Sequence, residues 1–192
     1  MDIYNFIINR RTVRRFKNIP IPRDLLDRCL NAGRLAPSAG NRQTNEFFVV
    51  TDEALMAQVF TCFVWGRPLG EEGPPREGHR PKAYIVILKN TNLSKASVND
   101  YDTGEAAENM ILVAEAEGVG SCQFAAMNKD KLRQILNIPE HCEIHIALAL
   151  GYSDETHVVE PFTGSVDYWR DKDSVHHVPK RPLESIVHWN AY

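Results

Sequence analysis

The unbroken apolar run Ala83-Tyr84-Ile85-Val86-Ile87-Leu88 constrains this chain more than any other feature. It has the length and β-branching of a buried strand, and a strand without a polar face must be covered on both sides. Helices are available to do so. Asp102 to Glu117 reads as the strongest helix, and Ala106, Ala107, Met110, Ile111, Val113 and Ala114 make it apolar over much of its circumference. Such a helix is central or lies at a subunit interface. Other helices are expected over residues 2–9, from Pro22 to Leu35, from the cap Asp52 to about Phe60, and from Lys129 to Leu136. Gly118-Val119-Gly120 closes the long helix. Further strands are expected over Glu46 to Thr51, Ser121 to Ala125 and Glu143 to Leu150. In the last of these, Ile144, Ile146, Leu148 and Leu150 alternate with Glu143, His145, Ala147 and Ala149, which predicts one apolar face. Helices alternating with few strands give an α/β or α+β class.

The 192 residues favour one domain spanning 1–192, large enough for a core of its own. Residues 61–82 are rich in Gly, Pro and charge and read as an irregular, lid-like excursion. Phe63 and Trp65, at its start, are expected to cover a substrate. From Ser153 the chain reads as an extended arm, 153–192, with a short terminal helix from Leu183 to Trp189. Phe162, Tyr168 and Trp169 line a pocket or pin that arm. A net charge of −3 argues against nucleic acid as a partner. No apolar stretch is long enough to span a bilayer and the first residues do not resemble a signal peptide, so no membrane partner and a cytoplasmic location are expected. Cys29, Cys62, Cys122 and Cys142 are scattered without a CxxC pair and read as free thiols. His141, Glu143 and His145 share a strand face while Cys142 points away, so no metal site is expected there.

The nucleotide-binding signatures GxGxxG and GxxxxGK[ST] are absent, as are HExxH and a Ser-His-Asp signature. What remains is charge. Arg10-Arg11-Thr12-Val13-Arg14-Arg15-Phe16 places four guanidinium groups and a hydroxyl within six residues. Arginine binds phosphate bidentately through charge-assisted hydrogen bonds, so Arg10, Arg11, Thr12 and Arg14 can form a phosphate cradle. The alternative at this point is a solvated basic helix end.

Other segments complete a pattern: Ala36-Pro37-Ser38-Ala39-Gly40-Asn41-Arg42-Gln43 before a Phe-Phe-Val-Val strand, Asp102-Thr103-Gly104-Glu105-Ala106-Ala107-Glu108-Asn109-Met110, Gly118-Val119-Gly120-Ser121-Cys122, Ala147-Leu148-Ala149-Leu150-Gly151-Tyr152, and Lys180-Arg181-Pro182-Leu183-Glu184-Ser185-Ile186-Val187. In this order, over about residues 3–189, they resemble the nitroreductase family of FMN-dependent oxidoreductases. The resemblance implies an α+β fold with a central mixed sheet and an intertwined homodimer carrying FMN at the subunit interface. It implies that Arg10, Arg11, Thr12 and Arg14, with Lys180 and Arg181, contact the FMN phosphate and ribityl chain. Pro37, Ser38, Ala39 and Asn41 would reach the same flavin from the other subunit, with Gln43 close by. Ser121, Cys122, Gln123 and Phe124 would lie along the isoalloxazine. Cys122 reads as a packing residue rather than a nucleophile, because no base is evident beside it.

The activity so implied is two-step hydride transfer. NADH or NADPH reduces the flavin and leaves, and a small acceptor such as a nitroaromatic, a quinone or free flavin is then reduced. The flavin carries the chemistry, so no catalytic side chain is required. Alternatives are a specialised flavoenzyme of the family, dehalogenating or flavin-degrading, a non-catalytic flavin-binding redox sensor, and a nucleic-acid module built on the Arg10–Lys17 patch.

Overall fold

The computed structural model describes residues 2–192. Strands β1 (Asn45–Val50), β2 (Ala83–Asn90), β3 (Val119–Phe124) and β4 (Cys142–Tyr152) form a sheet in the order β1-β2-β4-β3. Each neighbouring pair is antiparallel. A parallel element enters this sheet through Thr12, which bridges Ser121 on the β3 edge.

The apolar run is the sheet's middle. Residues 83–89 of β2 are buried throughout, because helices cover both faces. On one side α2 (Arg23–Arg34) and α4 (Asp100–Ala116) pack Leu25, Leu26, Ala106, Ala107 and Met110 against Ile85, Ile87, Leu148 and Leu150. On the other, α3 (Glu53–Phe60) and α5 (Lys129–Leu136) bring Val59, Leu132 and Leu136 onto Tyr84, Val86, Leu88, Ala147 and Ala149. Each fully buried aliphatic side chain here contributes roughly 1.5–3 kcal/mol. The long helix is therefore central, and the result is an α+β molecule of three layers. No described helix is long and apolar enough to cross a membrane.

Local chemistry sets the helix ends. The Asp52 side chain accepts the Leu55 N–H, and the Asn128 side chain accepts the Lys131 N–H. Asn137, at φ 51°, ends α5 in the left-handed region that Asn tolerates. Only Gly118 (φ 77°) terminates α4, whereas Val119 and Gly120 already belong to β3.

The expected single apolar face of β4 breaks at a bulge. The register slips where Ile87 pairs with Ile146 but Leu88 pairs with Ile144. An extra residue on one strand reverses which face the following side chains take. Ile144 therefore joins the layer of Ala147 and Ala149, opposite Leu148 and Leu150.

The arm is more ordered than expected. It folds β5 (His157–Pro161), β6 (Trp169–Arg170) and β7 (His176–Lys180) into a small mixed sheet of order β5-β7-β6. The terminal helix is only a 3-10 turn over Leu183–Ser185. Pro182 supplies that turn with no side-chain cap, and the residues after it are exposed, so nothing extends it. Helix α1 (Ile3–Asn9) has no buried residue, and Ile3 and Tyr4 are about 70% exposed.

Residues 61–82 hold only a 3-10 turn, Arg67–Glu72. Phe63 and Trp65, expected as substrate contacts, are packed in the core. Phe63 lies between Tyr84 and Phe124, at 5.2 and 4.6 Å between ring centroids, and Trp65 meets Phe124 edge-on at 4.6 Å. Burying these rings against the sheet outweighs leaving them in solvent. They anchor the segment, while their neighbours Val64 and Gly66 reach a surface cavity.

Candidate functional site

After α1 the chain runs extended along the β3 edge, and small residues let it come close. A Cβ at Gly120 would fall 2.5 Å from Cγ2 of Val13, and one at Gly151 would fall 2.7 Å from the Phe16 ring. Val13 and Phe16 therefore press into the core, and both are buried. The Val13 N–H donates to the Ser121 carbonyl at 2.8 Å, and the Lys17 N–H to that of Tyr152 at 2.8 Å. With these inward anchors fixed, the side chains between them turn outward.

Arg10, Arg11, Thr12 and Arg14 line one cavity of about 230 Å³ together with Tyr168, His176, Val178 and Lys180 of the arm. Burial, then the neighbouring Arg10 charge, lowers the Arg11 pKa from its usual value. The Arg11 Nε is buried without a hydrogen-bond partner. Among the described residues, the one carboxylate within ion-pair distance of these cations is Glu108, 3.5 Å from Arg10. Such an excess of donors fits a phosphate group. Arg14 stacks over the Tyr168 ring at 4.5 Å. An adjoining cavity of about 210 Å³ shares Arg14 and Tyr168 and adds Cys122, Gln123 and Phe124. Arg11 also borders a larger recess of about 500 Å³ along Val13, Gly118 and Gly120. Burial pushes the Cys122 thiol up to about 12, against the opposing Arg14 charge and with a smaller rise from Glu155. That is the wrong direction for a nucleophile.

Two expected contacts fall elsewhere. Arg181 does not line the cavity, and its Nη2 donates to the Ser185 carbonyl at 2.9 Å. The Ser121 side chain is buried, and Ser121 serves the site through its carbonyl.

Behind the cradle lies a buried charge network that sequence reasoning missed. Glu155 accepts the Arg14 backbone N–H and pairs with Arg170 Nη2 at 2.7 Å. Both side chains are about 98% or more buried. Burial works against the Glu155 carboxylate, but contacts from His157, the Arg14 N–H and Arg170 prevail and hold its pKa down to about 2. No motif marks these residues. Alternating charge in an arm reads as solvent-facing until its fold is known.

The 37–43 loop sits at the other end of the sheet, just before β1. Pro37, Ser38 and Gln43 line a cavity of about 210 Å³ with Gly33, Asn45 and Phe47. Ala39 and Asn41 form the turn beneath it. Buried polar groups pin that turn. Asp102 accepts the Ala39 N–H at 3.0 Å, and Asn99 donates to the Ala39 carbonyl at 3.2 Å. Gly40, Asn41 and Gln43 take positive φ, and Ser38 Oγ accepts the Gln43 N–H at 3.1 Å. Because β1 and β3 are the two edges of the sheet, one chain holds the two groups of expected contacts at opposite edges. Three strand spacings, roughly 14 Å, lie between those edges.

A protein of Archaeoglobus fulgidus named as an NADH dehydrogenase/NAD(P)H nitroreductase is 30% identical over 157 residues, covering 79% of this chain and 85% of the relative. An iodotyrosine deiodinase of Thermotoga neapolitana is 25% identical over 180 residues, covering 80% and 89%. The solved structure of an FMN-dependent nitroreductase from Clostridium difficile R20291 superposes with a TM-score of 0.72 at 24% identity, covering 98% of this chain and 99% of that one. The nitroreductase family model matches residues 7–71 and 71–152. The first match takes in the Arg10–Phe16 run and the 37–43 loop and the second takes in the β3 edge, and the chain belongs to the nitroreductase family.

Proposed function

We propose that this chain is an FMN-dependent oxidoreductase, a single domain that acts as a homodimer, takes hydride from NADH or NADPH and passes it to a small acceptor in two separate steps. The observation that carries this reading is the cationic cavity of Arg10, Arg11, Arg14 and Lys180 beside the β3 edge. A family relative named as an NAD(P)H nitroreductase supports the donor. A related fold described as FMN-dependent supports the cofactor.

FMN, when bound, supplies reversible acceptance and release of hydride. The residues of this chain bind and orient it. Arg10, Arg11, Arg14 and Lys180 neutralise the phosphate, and the Thr12 hydroxyl can reach phosphate or ribityl oxygens. The β3 edge, where Cys122, Gln123 and Phe124 border the adjoining cavity, offers a wall for a planar ring. Pro37, Ser38, Ala39, Asn41 and Gln43 of a second copy complete the site. That the two groups sit at opposite sheet edges in one chain supports a site shared between two chains. The uncovered apolar residues of α1 and of the tail, Ile3, Tyr4, Leu183 and Trp189 among them, support the same arrangement.

The test is an absorption spectrum of the purified protein, repeated anaerobically after NADH and after NADPH. A flavin spectrum that bleaches with one donor and returns with a nitroaromatic, quinone or flavin supports the reading, and parallel initial-rate lines identify the two-step order. A colourless protein that takes up no added FMN refutes it. A flavin that no nicotinamide reduces favours a redox sensor.

A further inference from the structure

The apolar run of β2 carries a single polar side-chain atom, the phenol oxygen of Tyr84. Tyr84 is 1% exposed, and a buried tyrosine hydroxyl ordinarily finds a hydrogen-bond partner. Here burial raises the phenol pKa and the Arg80 charge opposes the rise, with no hydrogen bond contributing. Nor is the oxygen sealed in, as the Trp65 indole N–H is. Tyr84 borders a cavity of about 360 Å³ between α3 and residues 77–82. That cavity shares no lining residue with those at the two sheet edges. Met56, Ala57, Phe60 and Pro81 supply its apolar surface, and Glu53, Glu77, Arg80 and Lys82 its charges. An apolar hollow of this volume with a few polar groups suits a small molecule. Its 77–82 wall is held in place. The His79 carbonyl accepts the Phe16 N–H at 3.0 Å, His79 Nδ1 lies 2.8 Å from Asp154, and the Lys82 N–H donates to the Leu150 carbonyl at 2.8 Å. Arg80 lies over the Phe60 ring at 4.4 Å.

We propose that this cavity is a second binding site, separate from the flavin site, for a small aromatic zwitterion of the amino-acid type. Charge decides the class. Among the described residues, none of Glu53, Glu77, Arg80 and Lys82 lies within ion-pair distance of an opposite charge. The two signs balance. A purely anionic ligand would meet two carboxylates, and a purely cationic one would meet a guanidinium and an ammonium. A zwitterion answers both. Arg80, Lys82 and the Tyr84 hydroxyl offer donors to its carboxylate, and Glu53 and Glu77 accept from its ammonium. The Tyr84 hydroxyl thereby gains the partner that the protein itself does not provide. An aromatic side chain matches the Phe60 and Tyr84 rings, and the Arg80 guanidinium adds a cation that already pairs with a π face.

The test is isothermal titration calorimetry of the full chain in excess FMN, with L-phenylalanine as the probe. Saturable binding at one site per chain is expected. L-alanine lacks the ring, 3-phenylpropionate the ammonium and phenethylamine the carboxylate, and each is expected to bind about 10-fold or more weakly. Arg80→Ala and Tyr84→Phe are each expected to weaken L-phenylalanine about 10-fold and to leave FMN affinity unchanged. Tyr84→Phe removes only the hydroxyl, so the core packing of the ring is kept. Absence of saturable L-phenylalanine binding at millimolar concentration would overturn the proposal. So would 3-phenylpropionate or phenethylamine binding as tightly as L-phenylalanine, because one charge would then suffice. Unchanged affinity in both variants would place the ligand elsewhere and overturn it too, as would displacement of L-phenylalanine by a nitroaromatic acceptor.

Discussion

Replacing Glu155 by Gln removes a charge without changing shape, and it tests whether the arm is clamped to the Arg10–Arg14 run by the buried pair. Two routes give the magnitude. Structurally, the substitution leaves Arg170, 2% exposed and 2.7 Å from its partner, as an uncompensated buried charge. Breaking a buried pair from one side costs about 3–5 kcal/mol. By linkage, a carboxylate pKa lowered from 4.5 to about 2 corresponds to about 3 kcal/mol of stability at neutral pH. The sign is set by the direction of the shift. A depressed carboxylate stabilises the fold fully above its unfolded pKa, and the contribution disappears as pH falls from about 4.5 to about 2. The assay is denaturant unfolding of the flavin-free protein at fixed protein concentration, from pH 7 down to pH 2.5. Glu155→Gln is expected to lose about 3–5 kcal/mol at pH 7 and to converge on the wild type in acid. Replacing both members with apolar residues, Glu155→Met with Arg170→Met, should recover most of the loss. A Glu155→Gln protein as stable as wild type at pH 7, or a deficit that does not shrink in acid, would refute the argument.

The remaining predictions concern neighbouring features. His176, whose pKa is depressed to about 4, makes the flavin-free protein lose stability as pH falls from about 6.5 to about 4, by up to about 3 kcal/mol. His176→Gln should remove that upper step in acid titration and leave the Glu155 step. Gly120→Ala forces a methyl to within 2.5 Å of Val13 and should weaken FMN binding about 10- to 100-fold by displacing the run, with partial rescue by Val13→Ala. Fluorescence titration measures both. Asp102→Ala releases the Ala39 turn and should raise KM or lower FMN retention without unfolding the protein, which melting curves and flavin stoichiometry separate. Cys122 should resist alkylation at pH 8 in the native state and react once unfolded, as mass spectrometry would show.

Where side chains and backbone signal the same thing, the fold was readable from the chain. Lys129–Leu136 begins after a capping Asn and ends before Pro139, and it appears with those bounds. The Ala83–Leu88 run could only be an interior strand. The parity of β4 was not readable, because an extra residue at a bulge leaves no mark in an alternating pattern. Phe63 and Trp65 were misplaced for a related reason. An aromatic residue in a segment of Gly and Pro can cover a ligand or plug a core, and composition alone does not distinguish the two. The basic run and the turn in residues 37–43 were readable because charge and turn chemistry are local. Glu155, Arg170 and His176 were not, since their roles depend on which arm strands pair. Arg181 could not be told from Lys180 by sequence, because the 3-10 turn that captures its guanidinium forms only in the folded tail.

The placement of the Arg10–Arg14 cavity and the 37–43 loop at opposite edges of the sheet has a genetic consequence. If each complete site draws one edge from each chain, two differently inactivated copies can complement one another. A chain lacking Arg14, mixed with a chain broken at Ser38 and Asn41, would form mixed dimers in which one site inherits both lesions and the other inherits neither. Random pairing at equal dose would return roughly a quarter of wild-type activity from two dead parents. A single dead allele with both edges damaged would instead poison every site it joins.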